Sequence, residues 1–338
     1  MSGPATTTSE PTRRARAILV AIASKALFAA MLPLAVLALL RTFRIEHSTT
    51  VVVFETTLPL ALLPAYVAFI FAAIARRRAL AVVAAFLVLC HVAWVFPELG
   101  PARHLPSAVH DAARFTLFDQ NILFENPTPE KIAAEIVRSN ADVVFLEELT
   151  RPKLDAIQAA HGLDSYGYHF VHATWGPDGL GIFSRTPLLD AKVVRSPGFP
   201  QMRAQTVIAG RTVTLWNVHM LAPVGGPIDE WEGDLHQLRD RLRAETGDVV
   251  AAGDFNSTWS HRPFRELLGH GVREVHRDRG RGSARTWPVN GDIGGQIGGF
   301  VRLDHVLTKG PVRAVAIRET PSNGSDHAGL LTTFALLG

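Results

Sequence analysis

An α/β domain of two stacked mixed sheets, carried behind three membrane-crossing helices, is the fold class this sequence predicts. Three observations predict it. Ala17–Leu40, Val51–Ala75 and Ala79–Val95 are almost wholly apolar, each near the roughly 20 residues that cross a bilayer. From residue 114 onward, short apolar strand-like runs alternate with amphipathic helical segments. Many of those runs end abruptly in Asp, Glu, Asn or His, as strands do when their ends share one site at the edge of a sheet.

The three apolar segments account for a mean hydropathy of +0.15. Lys25, Glu55, Pro59 and Pro64 interrupt them. Lys25 and Glu55 lie near segment ends, where a long side chain reaches the interface. A cleavable signal peptide is the rival reading of the first segment, but two more apolar spans follow at once and no small-residue cleavage site stands out. Arg13-Arg14 lacks the rest of a twin-arginine context. Arg13, Arg14 and Arg16 precede the first span, and Arg76-Arg77-Arg78 separate the second from the third. Both groups are cytoplasmic only if the chain crosses in, out, in, out. The expected protein is therefore a multi-pass cell-membrane protein, with everything after about Pro97 on the extracytoplasmic side and Trp94 at the interface.

The formal net charge of +3 hides two opposite halves. Residues 1–100 hold 9 Lys/Arg and 4 Asp/Glu, giving +5; residues 101–338 hold 25 and 27, giving −2. The basic bias belongs to the anchor, and the large domain lacks the net positive charge of a long-nucleic-acid binder. Arg262, Arg265, Arg273, Arg277, Arg279, Arg281 and Arg285 form a local basic stretch, read either as a solvated loop or as attraction to phosphate or anionic lipid heads. Cys90, the only cysteine, lies in the third span, so no internal disulfide forms.

Residues 1–16, rich in Ser, Thr, Pro and Arg, are expected to be disordered; 17–96 form the anchor, 97–113 a proline-bearing linker, and 114–338 one catalytic domain. Pro129 opens a helical pattern through Arg138; Lys153–Ala160 and Trp231–Ala244 read as two further helices. Strands are predicted near 114–121, 142–147, 166–171, 180–184, 204–209, 212–219, 248–253, 303–308, 312–317 and 329–335. Gly291–Gly299 is a glycine-rich loop.

The polar strand ends carry the chemistry. Val249-Val250-Ala251-Ala252 runs into Gly253-Asp254-Phe255-Asn256, where Asp254 and Asn256, two apart, leave the same face of an extended segment. Phe115–Phe118 ends in Asp119-Gln120-Asn121, Val143–Leu146 in Glu147-Glu148, and Val213–Trp216 in Asn217-Val218-His219. Leu303-Asp304-His305-Val306 sets an Asp inside an apolar strand, and Ser325-Asp326-His327 precedes Ala328–Leu331.

These clusters, together with Gly181-Ile182-Phe183-Ser184-Arg185 and in this order, resemble the endonuclease/exonuclease/phosphatase superfamily from about Arg114 to the C-terminus. The resemblance implies a four-layer α/β sandwich with its site at one rim of two packed sheets, and Mg²⁺- or Mn²⁺-dependent cleavage of phosphoesters. The anchor's layout is similar to that of the membrane-bound branch that includes teicoplanin-resistance proteins, which implies action outside the membrane on a lipid pyrophosphate and a link to antibiotic resistance.

Carried over residue by residue, the resemblance makes Glu148 the main metal ligand, with Asn121 and Asp326 holding the metal or its water. Glu147 stands where the family often has Gln, and strand alternation turns it away from Glu148. Asp304 is expected to pair with His327 and orient its imidazole. His327 then activates water or steadies the developing charge, with Asp254 as the rival general base. Asn256 and His219 are expected on phosphate oxygens. His236, His261, His270 and His276 read as surface residues, and His305 as facing away from Asp304. No zinc spacing, Gly-x-Ser-x-Gly elbow or Gly-Lys-Ser/Thr loop occurs.

The expected function is a membrane-anchored phosphohydrolase on a lipid pyrophosphate or lipid phosphoester, with the bilayer as its partner. The alternatives are an extracytoplasmic nuclease, a phospholipase-C-type or sphingomyelinase-like phosphodiesterase, and a non-enzymatic binding module. Trp175, Trp259, Trp287, Ile297 and Phe300 are candidates to crown the site and meet a lipid.

Overall fold

The computed structural model describes residues 10–43, 48–224, 226–291 and 298–338. The chain forms two compact units, Met1–Pro97 and Glu98–Gly338.

The first unit is helical: α1 (Glu10–Thr42), α2 (Thr49–Ala61), α3 (Leu63–Ile74) and α4 (Arg78–Val95). The helix already runs from Glu10, so 10–16, expected to be disordered, is ordered; residues 1–9 lie outside the described residues. Two of its helices are long and apolar enough to cross a membrane, or three spans exist if α2 and α3 count as one. The segment expected as the second span, Val51–Ala75, is bent, with 58° between α2 and α3. Pro64, in the first turn of α3, has no N–H and its ring clashes with the carbonyl four residues back, so the helix breaks at Leu62. The carbonyl of Pro59, left near the break, is met by His91 Nε2 at 3.2 Å, and Tyr66 Oη sits 2.9 Å from His91 Nδ1. Glu55 is buried 2.6 Å from Arg41 Nε, and the Arg41 guanidinium lies 4.2 Å over the Trp94 ring.

The second unit holds β1 (Ala113–Asn121), α5 (Pro129–Ser139), β2 (Val143–Glu147), α6 (Arg151–Ala159), β3 (Tyr168–His172), β4 (Leu180–Ser184), β5 (Leu188–Val194), β6 (Gln201–Ile208), β7 (Arg211–His219), α7 (Ile228–Ala244), β8 (Asp248–Asp254), α8 (Arg262–Leu267), β9 (Arg273–Glu274), α9 (Val275–Asp278), β10 (Asp304–Lys309), β11 (Arg313–Thr320) and β12 (Gly329–Leu336). One sheet runs β11-β12-β1-β2-β4-β3 and the other β5-β6-β7-β8-β10-β9. Each has one parallel pair at its centre, β1 with β2 and β7 with β8, and each pair is joined by a crossover helix, α5 or α7.

The sheets pack through one shared core. Leu117, Phe145, Ile182, Phe334 and Leu330 from the first sheet meet Ala204, Leu215, Val250, Ala252 and Val306 from the second. Residues one position over point outward: Phe118, Val144, Leu146 and Phe183 bury Ile132, Ile136, Leu154 and Ile157 of α5 and α6. Because the central strands are buried on both faces, they read as continuous apolar runs. The architecture is the expected sandwich of two mixed sheets between helices. Val109 is buried against Ala335 and Leu337.

The topology brings four strand C-termini to one rim: Asn121, Glu147, His219 and Asp254 end β1, β2, β7 and β8. Antiparallel β10 begins there, with Asp304 paired to Asp254, and β12 begins just after Asp326 and His327. Loops at the carboxyl ends of parallel strands are where α/β sheets hold ligands.

Candidate active site

Strand ends place Asn121, His219, Asp254 and Asp304, and local departures from regular strand place Glu148 and Asn256. Glu148 follows β2 with φ +56, a left-handed turn that takes it out of the pleat. Its Oε2 accepts from Phe124 N–H at 2.8 Å and its Oε1 from Asn121 Nδ2 at 3.0 Å. Asn121 also donates to Asp254 Oδ2 at 3.1 Å, and its own Oδ1 accepts from Leu123 N–H at 3.0 Å. One amide thus ties together carboxylates from the two sheets.

Asp254 and Asn256 do not share an extended segment as expected. The strand stops at Asp254, and Asn256 takes φ +44. Its backbone N–H donates to Asp254 Oδ1 at 2.8 Å and its Nδ2 to Met220 O at 2.9 Å. This is the local side-chain-to-backbone turn that Asp favours. Gly253, φ +137, allows it: a Cβ there would lie 1.9 Å from Val218 O, so only glycine lets β8 approach β7 this closely.

His327 lies between two carboxylates. Its Nδ1 is 2.9 and 3.1 Å from the Asp304 oxygens, and its Nε2 is 3.5 Å from Asp254 Oδ2. Burial works against its charge, yet Asp304 and Asp254 prevail and hold its pKa up to about 10. It is an imidazolium at neutral pH. His219 is the opposite case: burial lowers its pKa despite nearby Asp254. Its Nδ1 donates to Pro177 O at 3.0 Å, so in the neutral ring Nε2 carries the lone pair, 3.9 Å from Glu148 and 3.8 Å from Asp254. Burial raises both Glu148 and Asp254.

Seven of the eight expected site residues therefore form one connected group: Asn121, Glu148, His219, Asp254, Asn256, Asp304 and His327. Asp326 stands beside it. Its Oδ2 accepts from Trp287 Nε1 at 2.8 Å, and its charge is felt at both Glu148 and His327. Among the described residues, Asp254, Asp304 and His327 are the acidic/His group whose ligand-type atoms lie within 4.8 Å of one another. The same atoms form an ion-pair triad, His327 with Asp304 and Asp254. Glu148 suits a hard cation: each oxygen takes one N–H and lone pairs remain.

Several further groups, given no role from the sequence, support the site. Ser325 Oγ donates to Asn121 O at 2.7 Å and accepts from His327 N–H at 3.0 Å. Gln120 Nε2 donates to Ser322 O at 2.8 Å, and Thr286 Oγ1 accepts from Asp304 N–H at 3.2 Å. Beneath the rim, Asp119 and Glu147 are buried together, and burial, then their mutual proximity, pushes the Glu147 carboxyl well up. Burial and neighbouring Asp304 do the same to Asp119.

The aromatic candidates divide. Trp287 adjoins His327, with rings 6.4 Å apart, and Phe300 N–H donates to Trp287 O. Trp175 is 81% exposed, in the loop that supplies Pro177 O to His219. Trp259 is packed, 8% exposed with Arg277 4.5 Å over its ring. Ile297 lies outside the described residues. His261 and His276, expected at the surface, are buried, because each meets a local polar partner, Thr258 N–H and the Glu274 carboxylate. His305 faces away from Asp304 as expected, 2.9 Å from Ser257 O, with its pKa lowered to about 4 by burial. The basic stretch is dispersed into local pairings, Arg262 with Glu266 and Arg281 with Glu319.

The model of the Endonuclease/Exonuclease/phosphatase family matches residues 120–327, more than half of the chain. Two UPF0294 proteins of Vibrio cholerae are 35% identical over 133 residues; the match spans 38% of this chain and only 42% of theirs. Among solved structures, a humanized D. rerio TDP2 aligns with a TM-score of 0.57 at 20% identity, covering 65% of this chain and 98% of that one. D. rerio TDP2 complexed with a single strand DNA product gives 0.56 at 19%, with coverage of 65% and 98%. An endonuclease/exonuclease/phosphatase from Beutenbergia cavernae gives 0.53 at 18%, with coverage of 67% and 72%. These structural likenesses are of fold. The chain belongs to the endonuclease/exonuclease/phosphatase family, whose members are generally hydrolases of phosphoester bonds.

Proposed function

We propose that this protein is a membrane-anchored, Mg²⁺- or Mn²⁺-dependent phosphohydrolase whose substrate is a lipid pyrophosphate or similar lipid phosphoester, hydrolysed on the extracytoplasmic side. The observation that carries the reading is the union in one chain of apolar helices long enough to span a bilayer with an undamaged set of phosphoesterase residues. Tethering a site to the membrane raises the effective concentration of substrates held in that membrane.

Glu148, with Asp326 beside it, would hold the divalent ion, which when bound supplies Lewis-acid neutralisation of the phosphoryl oxygens. The chain's own groups do the rest. Asp254 Oδ2, held by Asn121, takes the proton of the attacking water. His327 stays protonated, and from its place 3.5 Å from Asp254 Oδ2 its Nε2 would steady charge growing on a phosphorus-bound oxygen. His219 Nε2 accepts as the neutral ring and donates only once protonated. The binding-module reading lacks its mark, since Glu148 and His327 are both present.

A nuclease is the second reading. It is favoured by the likeness to a TDP2 structure that holds a single strand DNA product, and disfavoured by the −2 charge of residues 101–338. A sphingomyelinase-like activity ranks third. The test is phosphate release from polyprenyl pyrophosphate by the detergent-solubilised chain, in Mg²⁺ and in EDTA, with His327→Ala as the blank. Plasmid nicking and sphingomyelin cleavage are scored in parallel. Mg²⁺-dependent release without nicking is expected; nicking without release would replace the lipid reading with the nuclease.

A further inference from the structure

We infer that the helical unit carries a binding site for an anionic phospholipid head group, formed by α1 and the turn between α3 and α4. The inference rests on the reading of these helices as membrane-spanning and is independent of the catalytic assignment.

A cavity of about 570 Å³ lies there, lined by Ser24, Lys25, Phe28, Arg76, Arg77 and Leu80 among others. Arg78 completes a set of four cations on its wall, and among the described residues no carboxylate lines it. Among the described residues none of the four forms an ion pair with an acid. Lys25 is the telling member. A charge inside an apolar helix is costly, and it is normally paired, carried to the interface or functional. Here it comes to the same cavity as the three arginines of the turn.

The start of α4 adds a second, independent attraction. A helix begins with several N–H groups that lack intrahelical partners, usually capped by Ser, Thr, Asp or Asn. At α4 the N-cap is Arg77, which has no acceptor to offer, and no side chain caps the helix. No acidic residue stands in its first turn. Free N–H groups and the positive end of the helix dipole thus open beside four cations, an arrangement that favours a bound phosphate. Arg77 Nε is itself buried without a partner.

The rest of the lining selects the source of that phosphate. Phe28, Ala79 and Leu80 are apolar and continue into the helix faces. A head-group phosphate with acyl chains satisfies both halves, whereas inorganic phosphate satisfies only one. Basic pockets between membrane helices suit anionic lipid heads for this reason. A zwitterionic lipid brings its own cation and would be repelled.

The test is native mass spectrometry of the full chain released from micelles doped with phosphatidylglycerol, phosphatidylcholine or inorganic phosphate. The variants are Lys25→Gln, Arg77→Gln and, as an equal charge change outside the cavity, Arg14→Gln. Retention of phosphatidylglycerol over phosphatidylcholine is expected, falling about fivefold for each cavity cation removed and unchanged in Arg14→Gln. Circular dichroism checks helicity; Lys25 is exposed, so its variant decides the matter if Arg77→Gln misfolds. Equal retention of the two lipids, equal loss in Arg14→Gln, or displacement by inorganic phosphate at equal concentration would each overturn the inference. Loss of hydrolysis with lipid retention intact would bear on the catalytic reading alone.

Discussion

Replacing Asp304 by Asn should uncouple His327 from its charge without disturbing the fold. The carboxylate and the amide have the same shape, and residue 304 is 1% exposed, so solvent does not enter. In the native site Asp304 lies 2.9 Å from His327 Nδ1 and Asp254 lies 3.5 Å from Nε2; against burial, the two hold the pKa at about 10. One such charge at about 4 Å, in an effective dielectric of about 20, contributes about 4 kcal/mol. At 1.36 kcal/mol per unit that is about three pKa units. The imidazole of Asp304→Asn should therefore titrate near neutrality instead of near 10. The assay is ¹⁵N-histidine NMR of the full chain in micelles with EDTA, followed by the pH–rate profile in Mg²⁺, whose alkaline limb should move down in step. Stability follows the same sign. A histidine whose folded pKa exceeds its unfolded value of about 6.5 contributes fully below that pH and loses the contribution as pH rises through about 10. The variant should lose that window. An unchanged His327 titration, or a wild-type ring already neutral at pH 7, would show that Asp304 does not hold the charge on His327.

Other consequences follow from the same geometry. Glu147→Gln removes a buried carboxyl whose raised pKa costs stability as pH rises through it, so the variant should melt roughly 2–4 °C higher at pH 8, with the gain vanishing in acid; equal melting at both pH values would show that the pair is not strained. Gly253→Ala places a Cβ 1.9 Å from Val218 O at φ +137, and should abolish folded protein by circular dichroism, whereas Gly167→Ala, with nothing within 4 Å and no left-handed backbone, should fold. Trp287→Phe keeps the ring and deletes the N–H that holds Asp326; Mg²⁺ should bind about tenfold more weakly by calorimetry, with KM little changed.

Much of the domain was legible in the sequence because its central strands are buried on both faces and so appear as uninterrupted apolar runs. The edge strands are not written that way. β5 is exposed along much of its length and β9 has two residues, so neither shows a period. The break at Leu62 needed a weighing of Pro64 against the hydrophobicity of the whole segment, and hydrophobicity was the louder signal. At the site, the ligand-type residues announced themselves as polar strand ends. The groups that fix their geometry did not, because Ser325, Gln120 and Thr286 act across sequence separations that only the folded chain closes. The proton states of His219 and His327 were equally hidden: one ring faces a backbone carbonyl and the other two carboxylates, a difference of tertiary placement.

The proposed activity is that of a metal-dependent phosphoesterase site acting on phosphate carried in the membrane that holds its anchor. The most direct test reconstitutes the chain and polyprenyl pyrophosphate in the same vesicles, with Mg²⁺ or EDTA added only to the outside and the protein's orientation fixed by protease protection of the domain. Phosphate release that requires external Mg²⁺, and only when the domain faces outward, is the predicted result. Release that persists in external EDTA, or no release from the lipid while plasmid is nicked under the same conditions, would contradict it.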